Sequence, residues 1–387
     1  MRRWRWIAGL AAVACGVAAL TLTGVHWMTG TTGEEFSVSI RDEEIGVSVR
    51  NELLPGPAAA APGAPADTAG AGPSGSPNRL GSAAVPVRVY EPQGQAPWAT
   101  LVWAHGGSFV RGTLDWPEAD WVARAFAEAG MRVYSVDYAL ASDSVKAPAP
   151  ANDLAAVVRA VAVRHEGLLV VGGASAGAHL AALAALAQAD WAGSEPQPGG
   201  TGGAADSPTP ARSVDALLML YPTAHRVQRE DPQIAALTAV LPEARRFDSA
   251  RIAEMYAYFL GEEPGADAAP GTGIDAGADP GMSSPIVGRV DPLAYPDAPT
   301  VVGELPPERL RQLPPTIIIN ADADDLRASG EHFAEQLTAA GVRVTLTLQP
   351  GTLHGYLNRP EESDRARADA RATIDRFVTE VRAIHPE

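Results

Sequence analysis

One short stretch limits the folds open to this chain more than any other: Gly173-Ala174-Ser175-Ala176-Gly177. An apolar run, Leu168 to Val171, leads into it, and an alanine-rich helical segment leads out. A strand, a sharp turn and a helix in that order hold a serine in strained backbone with its Oγ exposed. Small residues at 173 and 177 let strand and helix pass close together, which a Cβ would oppose. The same five residue types also make plain small-residue turns in α/β proteins. The strand before and the helix after favour the nucleophile reading.

A serine at its ordinary pKa is a poor nucleophile, so this reading needs a base, an acid that orients the base, and donors for a developing oxyanion. For this kind of turn the chain order is Ser, then Asp or Glu, then His. Among eight histidines, His354 stands apart. It sits in Gly351-Thr352-Leu353-His354-Gly355, just after the alternating strand Val342 to Leu348, on a glycine-flanked loop that reaches over a sheet edge. His179, four residues past Ser175 in the same helix, is expected to pack or cap locally. His225, after Tyr221-Pro222, is placed at the border of the site. His26, His165, His332 and His385 fall in other segments.

The acid should follow an earlier strand. Thr316-Ile317-Ile318-Ile319 is a β-branched run typical of a strand buried on both faces. It leads to Asp322-Ala323-Asp324-Asp325. Aspartates at such a place also cap the helix that follows, a role that suits Asp322 or Asp325. Asp324 is taken as the acid and Asp322 as its alternative. The oxyanion donors are assigned to the strand end Leu101 to Ala104 and the loop His105-Gly106-Gly107-Ser108-Phe109. There the Gly106 and Gly107 amides would act together with that of Ala176, and His105 would shape the loop.

Together these segments resemble the hormone-sensitive-lipase-like branch of the α/β-hydrolases. The residues that carry the likeness are His105-Gly106-Gly107-Ser108-Phe109, Gly173-Ala174-Ser175-Ala176-Gly177, Asp324-Asp325-Leu326-Arg327 and His354-Gly355-Tyr356. Asp137-Tyr138-Ala139-Leu140-Ala141 and Asp291-Pro292-Leu293-Ala294-Tyr295-Pro296 fit as well. The likeness runs from about Val85 to about Arg382. It implies an α/β-hydrolase fold, a lid over the site, no cofactor and no metal, and hydrolysis of short-to-medium acyl esters. Ser175, Asp324 and His354 would form the triad. Four positions depart from the family pattern: Ser108 for a third glycine, Ala174 for an acidic residue, Ala139 for an arginine and Ala321 for a glycine. Ser175-Ala176-Gly177-Ala178-His179-Leu180 also looks like arylformamidases of the same fold, so an amidase remains open. The departures keep a non-catalytic binding module open too.

The net charge of −16 argues against nucleic acid as a partner, since phosphate binding needs clustered cations. The expected partner is a small ester or amide. Arg2, Arg3 and Arg5 precede an apolar run from Ile7 to Val25, nineteen residues long. That is near the ~20 needed to span a bilayer, with positive charge on the cytoplasmic side. The segment reads as a retained anchor, a cleaved signal, or a lipidation site at Cys15, the only cysteine. Membrane contact is expected through this segment alone, with the catalytic domain outside the cell, anchored or secreted.

The expected organisation is residues 1–30 as signal or anchor, 31–83 as a largely disordered extracytoplasmic tether, and 84–387 as the α/β-hydrolase domain. Within that domain an insertion of about 223–313 forms a helical cap. Inside the tether, 36–40 and 45–49 alternate like a hairpin that joins the sheet or covers the site. Helices alternating with apolar strands mean a mostly parallel sheet covered on both faces. Ligands bind beyond the carboxyl ends of such strands. Met255, Tyr256, Tyr258 and Phe259 of a cap helix over 249–260 are expected to pack on the body, with an acyl pocket as the alternative.

Overall fold

The computed structural model describes residues 39–40, 46–56, 84–193, 212–262 and 300–385. The N-terminal apolar run, Cys15, residues 57–83 and the 291–296 motif lie outside them, as do 194–211 and the rest of 263–299.

Nine strands are found among the described residues: β1 (Ser39–Ile40), β2 (Val47–Pro55), β3 (Ala84–Pro92), β4 (Ala99–Ala104), β5 (Met131–Val136), β6 (Leu168–Ala174), β7 (Ala216–Leu220), β8 (Thr316–Ala323) and β9 (Val344–Leu353). They form one sheet in the order β1-β2-β3-β5-β4-β6-β7-β8-β9. The first three pair antiparallel, and β3 meets β5 antiparallel. Every pairing from β5 through to β9 is parallel. Parallel strands need crossovers, and the helices supply them. These are α1 (Asp120–Glu128), α2 (Ala149–Arg164), α3 (Ala176–Gly193), α4 (Pro232–Thr238), α5 (Ser249–Leu260), α6 (Pro307–Leu310), α7 (Arg327–Ala339) and α8 (Asp364–Ile384).

The core has two layers because alternate residues of a strand point to opposite faces. Val102 and Ala104 of β4 and Val171 of β6 join residues of α2 and α3, such as Leu154, Val158 and Leu180, on one face. Leu101, Trp103 and Val170 join Val122 and Phe126 of α1 and Phe377 of α8 on the other. Strands β4 and β7 are buried along their whole length, which accounts for their continuous apolar sequences. Helix α3 is apolar on every side because sheet, α2 and the segments around 223 and 300 enclose it. No helix among the described residues is long and apolar enough to cross a membrane.

One expected boundary moves. Strand β2 pairs with β3 over nine residues, from Val47–Pro92 to Pro55–Ala84. Residues assigned to the tether therefore belong to the sheet, and the hairpin joins the sheet instead of covering the site. The reason is burial: Val47 and Val49 are covered on one face of the sheet and Leu54 on the other, so β2 is held by the body even where its sequence turns polar.

In the cap, α5 spans the residues expected. Its Ile252, Met255, Tyr256 and Phe259 are buried, and Phe259 stacks on Phe109 with ring centres 4.0 Å apart. Tyr258 points elsewhere, toward Lys146 and Asp143. The face packs on the body, as its spacing suggested.

Candidate active site

Five parallel strands each deliver, as the next residue after their carboxyl end, one side chain to the same rim. β4 ends at Ala104 before His105, β6 at Ala174 before Ser175, β7 at Leu220 before Tyr221, β8 at Ala323 before Asp324, and β9 at Leu353 before His354. Register brings them level. Ala174 pairs with Leu220, and Ala323 pairs with Leu353 across an irregularity in the β8–β9 ladder.

The turn after β6 is as tight as the sequence implied. Ser175 has φ +52°, in the left-handed region that few non-glycine residues occupy. A Cβ on Gly177 would lie 2.2 Å from the Ala104 carbonyl oxygen, and one on Gly173 would lie 2.4 Å from the Gly177 carbonyl carbon. The Ser175 N–H donates to the Leu220 carbonyl at 2.9 Å, which ties the turn to the neighbouring strand.

His354 Nε2 stands 3.0 Å from Ser175 Oγ. His354 Nδ1 stands 2.7 Å from Asp324 Oδ2, and the Asp324 side chain is fully buried. The other oxygen, Oδ1, accepts the Leu326 N–H at 2.9 Å. With Oδ1 accepting from Leu326 and Oδ2 accepting from Nδ1–H, the carboxylate sets one tautomer of the imidazole and leaves the Nε2 lone pair facing the hydroxyl. The imidazole is held between two rings: Tyr221 edge-on at 4.9 Å and Phe247 of the cap at 4.5 Å.

Neither neighbouring aspartate competes for the histidine or caps α7. Asp322 accepts the Gly351 N–H at 2.9 Å and faces Arg327. Asp325 accepts the Thr238 hydroxyl and the Phe247 N–H, so it holds the cap down. One expectation about the histidines is also revised. His225 does not border the site. It bonds Ser329 and Gln336 and stacks on His332. His179 packs, the first of its two expected roles, against Phe109, Tyr256 and Phe259 and does not cap. Its ring donates to the Thr300 carbonyl at 2.8 Å and meets the Thr223 carbonyl and the Tyr256 hydroxyl. It thus joins the helix behind Ser175 to both ends of the cap insertion. Full burial pushes its pKa down to about 4.

The loop after β4 requires one correction. Gly106 lies beside Ser175, where a Cβ would come 3.1 Å from the Ser175 Cβ. Its N–H donates to Glu118 Oε2 at 2.6 Å, so it is not free to meet a substrate oxygen. Gly107, at φ +120°, and Ala176 remain on the rim, with no acceptor for their N–H groups among the described residues. His105 Nδ1 donates to the Gly106 carbonyl at 2.7 Å, and Tyr138 donates to the His105 carbonyl at 2.7 Å. His105 is buried and its pKa is lowered by that burial; it shapes the loop, as expected.

Glu118 was not singled out by sequence. It is 1 % exposed, and its Oε1 accepts the Tyr221 hydroxyl. One carboxylate therefore grips the glycine loop with one oxygen and, with the other, the ring that backs His354. Its sequence neighbourhood, Asp115-Trp116-Pro117-Glu118, carries no motif. The only signal was a carboxylate a short way past the paired glycines.

Among the described residues no cluster of three or more His, Cys, Asp or Glu side chains has a metal-binding arrangement.

A family model for the alpha/beta hydrolase fold matches residues 101–358, which span all of these side chains. The chain belongs to this family, in its hormone-sensitive-lipase-like branch. It is 30% identical over 284 residues to carboxylesterase NlhH of Mycobacterium tuberculosis, an alignment covering 71% of this chain and 72% of the relative. It is 29% identical over 285 residues to the carboxylic ester hydrolase LipN of the same organism, covering 71% and 61%. Carboxyl esterase 2 from the mycorrhizal fungus Tuber melanosporum shares the fold at TM-score 0.58 and 18% identity, over 89% of this chain and 88% of that one. An esterase of Pyrobaculum calidifontis does so at 0.56 and 21%, over 87% and 85%.

Proposed function

We propose that this α/β-hydrolase is a serine carboxylesterase that uses Ser175, His354 and Asp324 through an acyl-enzyme. The observation that carries the reading is the contact chain Ser175 Oγ–His354 Nε2 at 3.0 Å and His354 Nδ1–Asp324 Oδ2 at 2.7 Å. Its relatives named as carboxylesterases support the substrate class.

In this mechanism Oγ attacks the ester carbonyl while Nε2 takes its proton. The Gly107 and Ala176 N–H groups receive the oxyanion, a contribution of about 2.7–4 kcal/mol per donor. The imidazolium then protonates the leaving alcohol oxygen. Asp324 stabilises the imidazolium without taking its proton. Water attacks the acyl-enzyme with His354 again as base, and the acid departs. Each proton leaves and returns through Nε2, so the cycle closes with the enzyme unchanged.

The basic residues at 2, 3 and 5 and the apolar run to Val25 support a second part of the proposal: the catalytic domain works outside the cell, tethered or released. Fractionation of the full chain, with N-terminal sequencing of the mature form, tests that part. For the chemistry, a fluorophosphonate should label the wild type and fail on Ser175→Ala. Short p-nitrophenyl esters should give a larger kcat/KM than aryl formamides. Labelling that survives the substitution sinks the nucleophile assignment, and a preference for formamides sinks the ester assignment.

A further inference from the structure

The cap segment that touches His354 carries three arginines, Arg245, Arg246 and Arg251, in a chain with 46 acidic against 30 basic side chains. In so acidic a chain guanidinium groups usually find a carboxylate, as Arg88 does with Asp115, Arg309 with Asp190 and Arg365 with Asp369. Among the described residues none of the three cap arginines does. Arg245 Nη2 donates to the His354 carbonyl at 3.4 Å. Arg251 Nη1 donates to the Arg246 carbonyl at 2.7 Å, and its guanidinium stacks 4.6 Å over the Phe247 ring. Arg246 Nε is buried without any partner.

The nearby carboxylates are turned to other duties. Asp248 accepts the Arg251 N–H at the start of α5. Asp325 accepts the Phe247 N–H and the Thr238 hydroxyl. Arg359 adds a positive charge near Arg245, and its partner Glu362 offsets part of it. Burial and this like charge lower the pKa of Arg245. These guanidinium groups are only partly buried, and each keeps N–H donors that no carboxylate takes up.

We propose that the cap arginines Arg245 and Arg251 recognise a carboxylate on the leaving-alcohol part of the substrate, so the preferred substrates are acyl esters of hydroxy-carboxylic acids. The side of the site follows from the chemistry. His354 must hand its proton to the leaving oxygen, so the leaving group lies against the imidazole. Phe247 packs on that imidazole and Arg251 stacks on Phe247. A planar guanidinium offers a carboxylate two parallel N–H donors. The inference rests on the esterase reading above and adds the charge of the substrate to it.

The test compares 3-acetoxybenzoate with its neutral methyl ester, hydrolysed at the same acetyl group, using the full chain. The measured quantity is the ratio of the two kcat/KM values, in which any inactive fraction cancels. The wild type is expected to favour the anionic substrate about tenfold or more. That preference should shrink in 0.5 M NaCl, since partly exposed charges are screened. Arg245→Gln and Arg251→Gln should each pull the ratio toward one. Arg367→Gln, which removes an equal charge on α8, should leave it alone. A wild-type ratio at or below one, or a ratio unmoved by both cap substitutions, overturns the proposal while leaving the esterase reading intact. If neither ester is cleaved and fluorophosphonate does not label Ser175, the esterase reading falls and takes this one with it.

Discussion

Glu118 gives the sharpest test of how the site is built. Its two oxygens accept the Gly106 N–H at 2.6 Å and the Tyr221 hydroxyl. Its own backbone is fixed as well, with its carbonyl accepting the Trp103 indole N–H at 2.8 Å and its amide donating to Asn358 at 3.2 Å. It is therefore a rigid post between the loop that carries Gly107 and the ring that backs His354. In Glu118→Ala both donors are left buried and unpaired, each at a cost of about 1–3 kcal/mol. The loop relaxes, and a misplacement of about 1 Å in a catalytic group costs on the order of a hundredfold. The expected fall in kcat is thus about a hundredfold, or roughly 2.7 kcal/mol at 1.36 kcal/mol per decade. That matches the removal of one oxyanion donor. KM should change little, because the ground-state carbonyl does not depend on those donors.

Glu118→Gln separates position from charge. Its carboxamide oxygen can accept from Gly106 while its NH2 donates to the Tyr221 oxygen, so most of the activity should return. The assay is kcat and KM on a short p-nitrophenyl ester, normalised to sites titrated with fluorophosphonate. An alanine variant within threefold of wild type per titrated site refutes the positioning role. A glutamine variant as poor as alanine also refutes it, and would make the charge the operative feature.

Three further outcomes are expected. Asp324→Asn should cut kcat about 10³–10⁴-fold by favouring the wrong imidazole tautomer, while Asp322→Asn should stay within about threefold of wild type; equal losses on the same p-nitrophenyl ester would mean that the acid is misassigned. His179 is held neutral in the fold with its pKa pushed down to about 4, against about 6.5 when unfolded. The unfolded chain therefore binds more protons between those values, and stability is lost as pH falls through that window, by about 2 kcal/mol at pH 5. His165 and His225 are pushed down to about 4 as well and act with the same sign, so urea titrations at pH 7 and pH 5 are compared between the wild type and His179→Gln; the variant should lose about 2 kcal/mol of the difference, and an unchanged difference rejects the assignment. Gly177→Ala should destabilise by about 3 kcal/mol or more, since its Cβ would meet the Ala104 and His105 carbonyls at 2.2 and 2.3 Å; a thermal midpoint near that of wild type would contradict the close strand–helix contact.

What could be read from residues, and what could not, divides by the range of the interaction concerned. The serine turn, the glycine loop and the histidine loop are local patterns: apolar strand, small residues, polar side chain. Each identifies its own strand end, and the parallel sheet does the rest by aligning those ends. The choice among Asp322, Asp324 and Asp325 is different in kind. All three follow the same strand, and local chemistry suits any of them. The choice is made by pairing with β9, where Ala323 falls opposite Leu353 and the residue after each strand becomes Asp324 and His354. The Gly106 assignment failed for a related reason. The glycine is where the motif says it should be, but the direction of its N–H depends on Glu118, and Glu118 is held by Tyr221, 103 positions away in the chain. The reach of β2 to Pro55 was hidden in the same way, because polar residues such as Asn51 and Glu52 conceal a strand whose evidence is its partner β3. The motifs thus give the identity of the groups at the rim, while their hydrogen-bond vectors come from contacts between segments far apart in sequence. Catalytic power depends on those vectors, which is why a carboxylate without any motif, Glu118, is expected to matter here as much as an oxyanion donor.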